Sequence, residues 1–366
     1  MSGDDRFRAR RARAVEHATA AEIDGLLVAP GPSLRYLTGY DPIALERLTL
    51  LVLPGHGAAT LVVPELERPG ALVAPGVDEL AVRGWLDGAD PFAIVAETLD
   101  GERWAISDEA RGAHVLALQR ARPGLELEPL ETALPLLRAV KDEDELERLR
   151  AAARSADAAF ADVVELGFAG RTELELAADL DRLLREHGHE RVGFTIVGSG
   201  PNAASSHHDS GERTIERGDA VVMDFGGVLD GYWSDLTRTV FVGEPTAEQR
   251  EVYEVVREAQ RSAFDAIRPG VTCEAVDRAA RSVIEAAGYH ERFVHRTGHG
   301  IGLDLHEPPY IVEGNETVLQ AGMTFSDEPG IYLEGRFGVR IEDQVAVTAT
   351  GAERLNEASR EITIVG

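Results

Sequence analysis

Short apolar runs alternate with helical and turn-rich stretches in the first third of the chain. From Ile23 to about Glu128, the runs DGLLVA, LTLLVL, ATLVVP and WAISDE are separated by amphipathic stretches and by glycine and proline turns. Short apolar runs bounded by turn residues are typical of strands, and their alternation with helices is typical of α/β proteins. The pattern predicts a small α/β domain.

The pattern changes near residues 130 to 140, where a long charged helical run begins. Its acidic start at Asp142 to Glu145 suits a helix N-terminus, because the helix dipole favours negative charge there. The chain has 366 residues, and single hydrophobic cores rarely grow beyond about 250 to 300 residues. We therefore predict an α/β domain over residues 1–135 and a second domain over residues 136–366.

The second domain nearly repeats itself at an interval of about one hundred residues. In each copy a glycine and a threonine precede a helix and another glycine ends it. These positions are Gly170, Thr172 and Gly188 in the first copy and Gly270, Thr272 and Gly288 in the second. Such self-similarity indicates duplication of one structural unit. We predict an α+β fold with a pseudo-twofold duplication and a site at the junction of its halves.

The first half contains a strong hairpin signal in AVVMDFGGVLDGYWSDLTRTVFVG. Asp230-Gly231 is a two-residue turn signal with apolar runs on both sides. With that turn, Asp224 faces Thr237 across the ladder. Asp235 then lies on the same face as Asp224 and diagonal to it, so two carboxylates converge.

The second half contains a matching hairpin in AGMTFSDEPGIYLEGRFGVRIEDQVAV. A three-residue loop centred on Gly335 would place Glu328 opposite Glu342. Facing carboxylates raise one another's pKa unless a cation lies between them. Asp224 and Glu328 have apolar neighbours in sequence, which favours a functional role for both. For the other acidic residues of the hairpins we expect ordinary solvated side chains: Asp230, Glu334 and Asp343.

Composition and charge exclude several classes of protein. The formal net charge of −27 argues against nucleic acid as a partner, because such binding depends on Lys and Arg neutralising phosphates. No run of about 18 apolar residues is present, so we expect no membrane-spanning segment. The single cysteine, Cys273, excludes an internal disulfide framework and fits a reducing cytoplasm.

Histidines cluster with glycines in HRTGHGIGLDLHEPP and pair in SGPNAASSHH. Glycine lets backbone approach a ligand closely, which favours functional roles for His299 and His306, whereas we expect His208 to be an ordinary structural residue. One histidine with the four hairpin carboxylates forms a ligand set rich in hard oxygen, enough for two divalent ions, and it favours Mn²⁺. Paired metals activate water and polarise carbonyl groups, so amide hydrolysis is the expected chemistry.

These segments resemble the pita-bread metallopeptidases, which include methionine aminopeptidase, aminopeptidase P and prolidase. The resemblance covers most of the chain, and it implies two divalent ions, with Mn²⁺ as the first expectation and Co²⁺ or Zn²⁺ as alternatives. It implies one dinuclear ligand set, with Asp235 and Glu342 bridging the ions: Asp224, Asp235, His299, Glu328 and Glu342. The extra N-terminal domain and the junction LLRAVKDEDELERLR resemble the prolidase and aminopeptidase P branch.

The resemblance also implies roles for residues around the ions. Glu328 resembles the proton carrier, and His207 and His306 resemble the catalytic pair that orients substrate and stabilises the intermediate. Three further residues resemble substrate-binding or supporting groups: His295, Arg340 and Tyr232. The sequence departs from many relatives in carrying Ser206, rather than proline, before His207.

Several functions fit these patterns. The first is a cytoplasmic prolidase, an Xaa-Pro dipeptidase acting on proline-containing dipeptides as a homodimer. The second is an aminopeptidase P, which accepts longer peptides. A non-catalytic binding protein on the same fold and a metal-free enzyme similar to creatinase are alternatives that the complete ligand set disfavours.

Overall fold

The first part of the chain builds a six-stranded mixed sheet with helices around it. The computed structural model describes residues 3–206 and 208–366, and one compact unit ends at Arg138. Its helices are α1 Gly3–Ala20, α2 Pro32–Thr38, α3 Arg68–Leu72, α4 Pro91–Ala96, α5 Gly112–Ala121 and α6 Leu130–Ala133. Its strands are β1 Gly25–Val28, β2 Leu50–Pro54, β3 Thr60–Pro64, β4 Ala81–Trp85, β5 Arg103–Ile106 and β6 Glu126–Pro129.

The apolar runs in the sequence form the inner strands of this sheet. The strand order is β4-β3-β2-β1-β5-β6, in which β1 pairs antiparallel with β2 and parallel with β5. Both faces of β1, β2 and β3 are buried, which explains why these strands are continuous apolar runs rather than alternating ones. Trp104 fills the core beside Leu27 and Val62. The predicted α/β unit is confirmed.

The second unit, Ala139–Gly366, combines long helices with antiparallel strands. Its helices are α7 Glu143–Val163, α8 Glu173–Glu186, α9 Ala247–Ala266 and α10 Cys273–Ala286. The strands of its first half and the C-terminal strand are β7 Arg191–Ser199, β8 Ala220–Leu229, β9 Tyr232–Val242 and β17 Thr363–Val365. The others are β10 Gly298–Gly300, β11 Glu307–Ile311, β12 Thr324–Asp327, β13 Gly330–Leu333, β14 Phe337–Arg340, β15 Asp343–Val347 and β16 Ala352–Arg354.

These strands form two sheets and a two-stranded ribbon. The first sheet has the order β17-β9-β8-β7, the second has the order β11-β10-β12-β15-β16, and β13 pairs with β14. An isolated bridge between Thr237 and Glu342 links the two halves. Helices α7 and α8 cover the first sheet, where Phe160, Leu180 and Met223 share one core.

The two halves repeat the same local construction. Thr172 is the N-cap of α8 and Thr272 is the N-cap of α10. The glycines two residues earlier, Gly170 and Gly270, have φ angles of +87° and +89°. Each threonine also bridges to an extended segment further along its own half. The predicted duplication is confirmed.

The first hairpin has the predicted register. Asp230 and Gly231 form its turn with φ angles of +48° and +82°, both in the left-handed region that a type I′ turn requires. Asp224 pairs with Thr237 across the ladder. Asp235 therefore projects from the same face of the sheet as Asp224.

The second hairpin keeps its predicted register but is divided between two strand pairs. Leu333 pairs with Phe337 around the predicted loop, while Asp327 pairs with Asp343 at the other end. Glu328 and Glu342 lie between these two ladders, and their amides donate to residues outside the hairpin. The chain crosses from sheet to ribbon at these two acids.

The expectation that Asp343 is solvated is wrong, whereas Asp230 and Glu334 are exposed as expected. The side chain of Asp343 is fully buried and accepts hydrogen bonds from Arg238 at 2.7 Å and Gln260 at 2.8 Å. Burial alone would raise the pKa of Asp343, but its arginine neighbours outweigh that effect and lower it. Charge pairing replaces solvation at this residue.

Buried His189 makes the stability of the second unit depend on pH. Its Nε2 lies 2.7 Å from Ser234 Oγ, and its Nδ1 lies 3.0 Å from Ser155 Oγ. Burial lowers the pKa of His189 to about 4, although the Leu184 carbonyl opposes the shift. The folded state disfavours protonation of His189. The stability that the neutral ring contributes is therefore complete above the unfolded pKa of about 6.5 and is lost as pH falls.

We expect His189→Gln to flatten the acid side of the stability curve. Between pH 7 and pH 4, the free energy of unfolding should fall by about 3 kcal/mol more in the unmodified protein than in the variant. Urea denaturation at several pH values measures this difference. His290→Gln, which changes an exposed histidine, is the control. Parallel curves for the unmodified protein and His189→Gln would contradict the prediction.

Within residues 3–206 and 208–366, no helix combines the length and the apolar character that a membrane crossing needs.

Candidate active site and metal centre

One cavity of about 570 Å³ collects most of the predicted site residues. They come from β8, β9, β10 and the segments beside β11, β12 and β14. The predicted residues that line it are Asp224, Asp235, His295, His299, His306, Glu328, Arg340 and Glu342. The hairpins and the histidine loop therefore form walls of the same cavity, as predicted.

His299 presents one ring nitrogen to the carboxylates. Its Nδ1 lies 3.1 Å from the carbonyl oxygen of Gly300, a position in which Nδ1–H donates and leaves the Nε2 lone pair free. Nε2 lies 3.4 Å from Asp235 Oδ2 and 3.5 Å from Glu328 Oε1. The strand needs glycine at position 298, because a Cβ there would lie 1.8 Å from the Ser326 carbonyl oxygen. That close approach places His299 against the carboxylates.

The carboxylates are crowded and largely buried. Burial and the neighbouring acids Asp235 and Glu328 raise the pKa of Asp224 to about 7, although Arg340 opposes the shift. Burial and the same acids raise the pKa of Glu342 well above its ordinary value. Crowded buried carboxylates of this kind either take up protons or bind a cation between them.

The donor set fits divalent metal ions. Asp235, His299 and Glu342 each offer a ligand atom, and these atoms lie within 4.8 Å of one another. Asp224 Oδ1 is buried and has no hydrogen-bond partner among the described residues. An oxygen-rich set with one imidazole suits Mn²⁺ and similar ions. Metal binding would neutralise the carboxylates and give the orphaned oxygen a partner.

Hydrogen bonds from neighbouring side chains fix the carboxylates in place. Thr237 Oγ1 donates to Glu342 Oε2 at 2.5 Å, and Ser326 Oγ donates to Glu328 Oε1 at 3.1 Å. Arg340 Nη2 donates to Asp224 Oδ2 at 2.6 Å. Ligands held by such bonds keep their orientation when a metal leaves or exchanges.

Arg340 is connected to His295 through a tyrosine. Arg340 Nη1 donates to the Tyr332 hydroxyl at 2.8 Å, and this hydroxyl lies 2.8 Å from His295 Nε2. His295 Nδ1 lies 2.7 Å from the Arg296 carbonyl oxygen, so Nδ1–H donates there and Nε2 accepts from the tyrosine. Burial raises the pKa of Tyr332 to about 12, which keeps the hydroxyl protonated for this role.

His306 lies against His299. Its ring centroid is 4.1 Å from that of His299, in an edge-to-face arrangement. Burial and the neighbouring His299 lower the pKa of His306 to about 4. His306 is therefore neutral at pH 7. Its one ring N–H can donate a hydrogen bond to a developing negative charge.

Tyr232 is not part of this cavity, which corrects its predicted role in substrate binding. Its hydroxyl donates to Glu145 Oε1 on α7 at 3.0 Å, and its ring packs in the core with Leu149. Side chains alternate along a strand, so Tyr232 and Asp235, three residues apart on β9, project from opposite faces. Tyr232 fixes α7 to the sheet.

The two histidines at residues 207 and 208 have different outcomes. His207, predicted to be catalytic, lies outside the described residues. His208 lies 2.7 Å through Nε2 from the buried carboxylate of Glu173, which agrees with the structural role expected for it. Ser206, the residue before this pair, lines the cavity.

Several residues that line the cavity or support its lining carry no clear signal in the sequence. Tyr332 and Ser326 are hidden in strands whose neighbours are apolar, so their pattern indicates only a buried strand. Arg296 also lines the cavity. Its place beside His295 in the histidine motif is the feature of the sequence that could have identified it. The apolar wall consists of Phe194, Ile196 and Leu305. No local pattern distinguishes such residues from core residues.

Comparison with known proteins agrees with this site. Residues 147–349 match Metallopeptidase family M24, and residues 10–140 match the Creatinase/Prolidase N-terminal domain. The chain is 47% identical over 363 residues to a protein named probable dipeptidase PepE from Mycobacterium tuberculosis. The alignment covers 98% of this chain and 96% of that protein. It is 38% identical over 346 residues to an Xaa-Pro dipeptidase from Lactobacillus helveticus, covering 91% and 92% of the two chains.

A solved structure extends the likeness to the whole fold. The crystal structure of dipeptidase PepE from Mycobacterium ulcerans matches with a TM-score of 0.94 at 44% identity, covering 100% of this chain and 99% of that one. The protein belongs to metallopeptidase family M24. It is a metallopeptidase with the pita-bread fold, preceded by a creatinase/prolidase-type N-terminal domain, and both predictions are confirmed.

Proposed function

We propose that the protein is an Xaa-Pro dipeptidase that hydrolyses the bond between an N-terminal residue and proline. The observation that carries this proposal is the cavity of about 570 Å³, in which one apolar wall faces a cluster of metal-ligand side chains. A cavity of this size suits a small ligand such as a dipeptide. Relatives named dipeptidase over nearly the whole chain support the same activity.

We assign two divalent ions, with Mn²⁺ as the first choice and Co²⁺ or Zn²⁺ as alternatives. The proposed ligands are Asp224, Asp235, His299, Glu328 and Glu342. Bound there, the ions would supply Lewis-acid activation of a water molecule and of the scissile carbonyl group. Asp235 and Glu342, which each offer a ligand atom within 4.8 Å of the other and of one on His299, are the proposed bridging residues.

The proton chemistry is assigned to Glu328 and His306. Burial would raise the pKa of Glu328, but His299, His295 and Arg340 outweigh it and lower the pKa. Glu328 is therefore ionised at neutral pH and can accept a proton at Oε1, which Ser326 orients. His306 donates to the developing oxyanion, and His207 is the proposed second member of this pair.

Substrate positioning is assigned to His295 and Arg340. The hydrogen bonds through Tyr332 fix the ring of His295 at the cavity wall, where it can hold the proline end of the substrate. Arg340 anchors Asp224 and so keeps its second oxygen directed at the ligand cluster. We further propose that the enzyme acts in the cytoplasm as a homodimer.

Hydrolysis of Ala-Pro beside Ala-Pro-Ala tests the proposal. With Mn²⁺-reconstituted protein we expect release of alanine from the dipeptide, no cleavage of the tripeptide and no activity after treatment with a chelator. Restoring Mn²⁺ should restore activity. Chromatographic detection of free proline and alanine measures both reactions.

Other outcomes would change the assignment. Cleavage of Ala-Pro-Ala would move the protein to the aminopeptidase P group. Cleavage of neither peptide by metal-loaded protein would contradict the proposal and favour a binding protein on the same fold. Full activity in the chelator would contradict the metal-dependent mechanism.

A further inference from the structure

A fully buried carboxylate, Glu173, lies at the first position of helix α8 and outside the cavity. Its Oε1 accepts from the amide and the hydroxyl of Ser199, both at 2.7 Å. Asn202 Nδ2 reaches both of its oxygens at 3.1 Å. Oε2 also accepts from His208 Nε2 at 2.7 Å and from the amide of Gly211 at 3.3 Å. One carboxylate thus binds four residues of the segment 199–211.

The segment 199–211 forms part of the active-site wall. Ser206 lines the cavity, and its carbonyl oxygen accepts from Arg340 Nη1 at 3.3 Å. His207 follows directly in the sequence. Its first residue ends β7, and a short 3-10 helix, Gly200–Ala204, follows. The hydrogen bonds to Glu173, together with the bond from the Leu174 amide to the Gly211 carbonyl oxygen, attach both ends of the segment to helix α8.

The second half of the molecule contains a similar attachment. Asp277 on α10 is fully buried, and its Oδ1 accepts from the amide of Thr297 at 3.1 Å and from the Thr297 hydroxyl at 2.8 Å. Arg281 pairs with Asp277 at 2.9 Å and donates to the carbonyl oxygens of Phe293 at 3.2 Å and His295 at 3.0 Å. The segment fixed in this way carries both His295 and His299.

We propose that Glu173 and Asp277 are positioning residues, each of which fixes the histidine-bearing segment of its own half to the second helix of that half. Neither residue touches the cavity, so each acts through the segment that it holds. Glu173 controls the placement of Ser206 in the cavity wall. Asp277 controls the placement of His295 and His299. The effects that we expect on catalysis rest on the proposed function.

The chemistry requires a carboxylate at both places. All the groups around Glu173 are donors, and glutamine would present an NH₂ group to one set of them. A buried donor left without an acceptor costs about 1 to 3 kcal/mol, so the segment should rearrange rather than keep its position. The same argument applies to Asp277→Asn, where the amide group would face Arg281 or Thr297.

The two substitutions should have different effects, because the two segments carry different groups. In Glu173→Gln we expect kcat on Ala-Pro to fall about 10- to 100-fold with an unchanged Kd for Mn²⁺, since segment 199–211 holds no proposed metal ligand. In Asp277→Asn we expect the Kd for Mn²⁺ to rise about 10- to 100-fold, with most of kcat recovered at saturating metal.

Hydrogen exchange provides a measurement that does not depend on activity. Glu173→Gln should increase amide exchange in residues 199–211 only, and Asp277→Asn in residues 293–299 only, because buried hydrogen bonds protect these amides. The matched controls are Glu175→Gln and Glu274→Gln, which change exposed or half-buried acids on the same helices. Both controls should keep kcat, the Kd for Mn²⁺ and the local exchange of the unmodified protein.

Milder substitutions keep the test decisive if a carboxylate variant fails to fold. Asn202→Ala removes one bond to Glu173, and Thr297→Val removes one bond to Asp277, so each should show the same kind of change at smaller size. Unchanged exchange and unchanged kcat in Glu173→Gln would overturn its role. An equal loss of activity in Glu173→Gln and Asp277→Asn, with no change in the Kd for Mn²⁺ in either, would overturn the roles of both residues. If the unmodified protein cleaves no Xaa-Pro substrate, the proposed function fails, while exchange and Mn²⁺ titration still decide this inference.

Discussion

Replacing Asp235 by alanine is expected to abolish hydrolysis of Ala-Pro while the protein stays folded. Asp235 is nearly fully buried, and its Oδ2 lies 3.4 Å from His299 Nε2 in the three-residue group that offers ligand atoms to a metal. Losing a proposed metal ligand would remove Lewis-acid stabilisation worth several kcal/mol. Because about 1.4 kcal/mol corresponds to a tenfold change in rate, kcat/KM should fall at least about a thousandfold.

The fold should tolerate this change because Asp235 contributes repulsion in the metal-free protein. It helps to raise the pKa of both Asp224 and Glu342, after burial itself. The metal-free variant is therefore expected to unfold at the same temperature as the unmodified protein or above it. Bound manganese, measured by elemental analysis after gel filtration, should fall below the content of the unmodified protein.

Asp230→Asn on the same hairpin is the matched control. Asp230 is exposed at the turn and pairs with Arg148, so kcat/KM and the manganese content should both be unchanged. Full activity of Asp235→Ala without added metal would contradict the dinuclear mechanism. Loss of activity with a collapsed thermal transition would instead show that Asp235 is needed for folding.

Local chemistry explains why the first hairpin was predictable from sequence. The Asp230-Gly231 turn admits one register only, and strand alternation then places Asp224 and Asp235 on one face. The same alternation places Tyr232 on the opposite face of β9. The substrate-binding role predicted for Tyr232 followed from the family resemblance, whereas the strand register already excludes it. Information within one hairpin was sufficient in both cases.

The residues that sequence analysis missed depend on contacts between distant segments. Tyr332 takes part in the site because Arg340 on β14 and His295 in the segment before β10 both reach its hydroxyl. Glu173 lies 26 residues before Ser199, and no short motif links them. Periodicity identifies which face of an element is buried, but it does not identify the partner that a buried polar group finds.

Asp343 shows the same limit, and its partners predict a large stability effect. Four groups reach its carboxylate, from β9, α9 and two segments near the C-terminus. They are Arg238, Gln260, Arg354 and Arg360. Arg238 is itself buried and donates to the backbone carbonyl oxygens of Thr237 and Glu342 at 2.9 Å and 2.6 Å. The Asp343 network therefore supports the segment that presents Glu342 to the cavity.

Asp343→Asn is expected to lower the free energy of unfolding by about 3 to 5 kcal/mol, because removing one partner of a buried ion pair leaves Arg238 uncompensated. Urea denaturation at pH 7 of the metal-free protein measures the change without contributions from bound ions. Asp230→Asn makes the same chemical change in an exposed pair, where the expected loss is below about 1 kcal/mol. Equal losses in the two variants would mean that the arginines around Asp343 are solvated in the native state, and the buried network would then not stabilise the second unit.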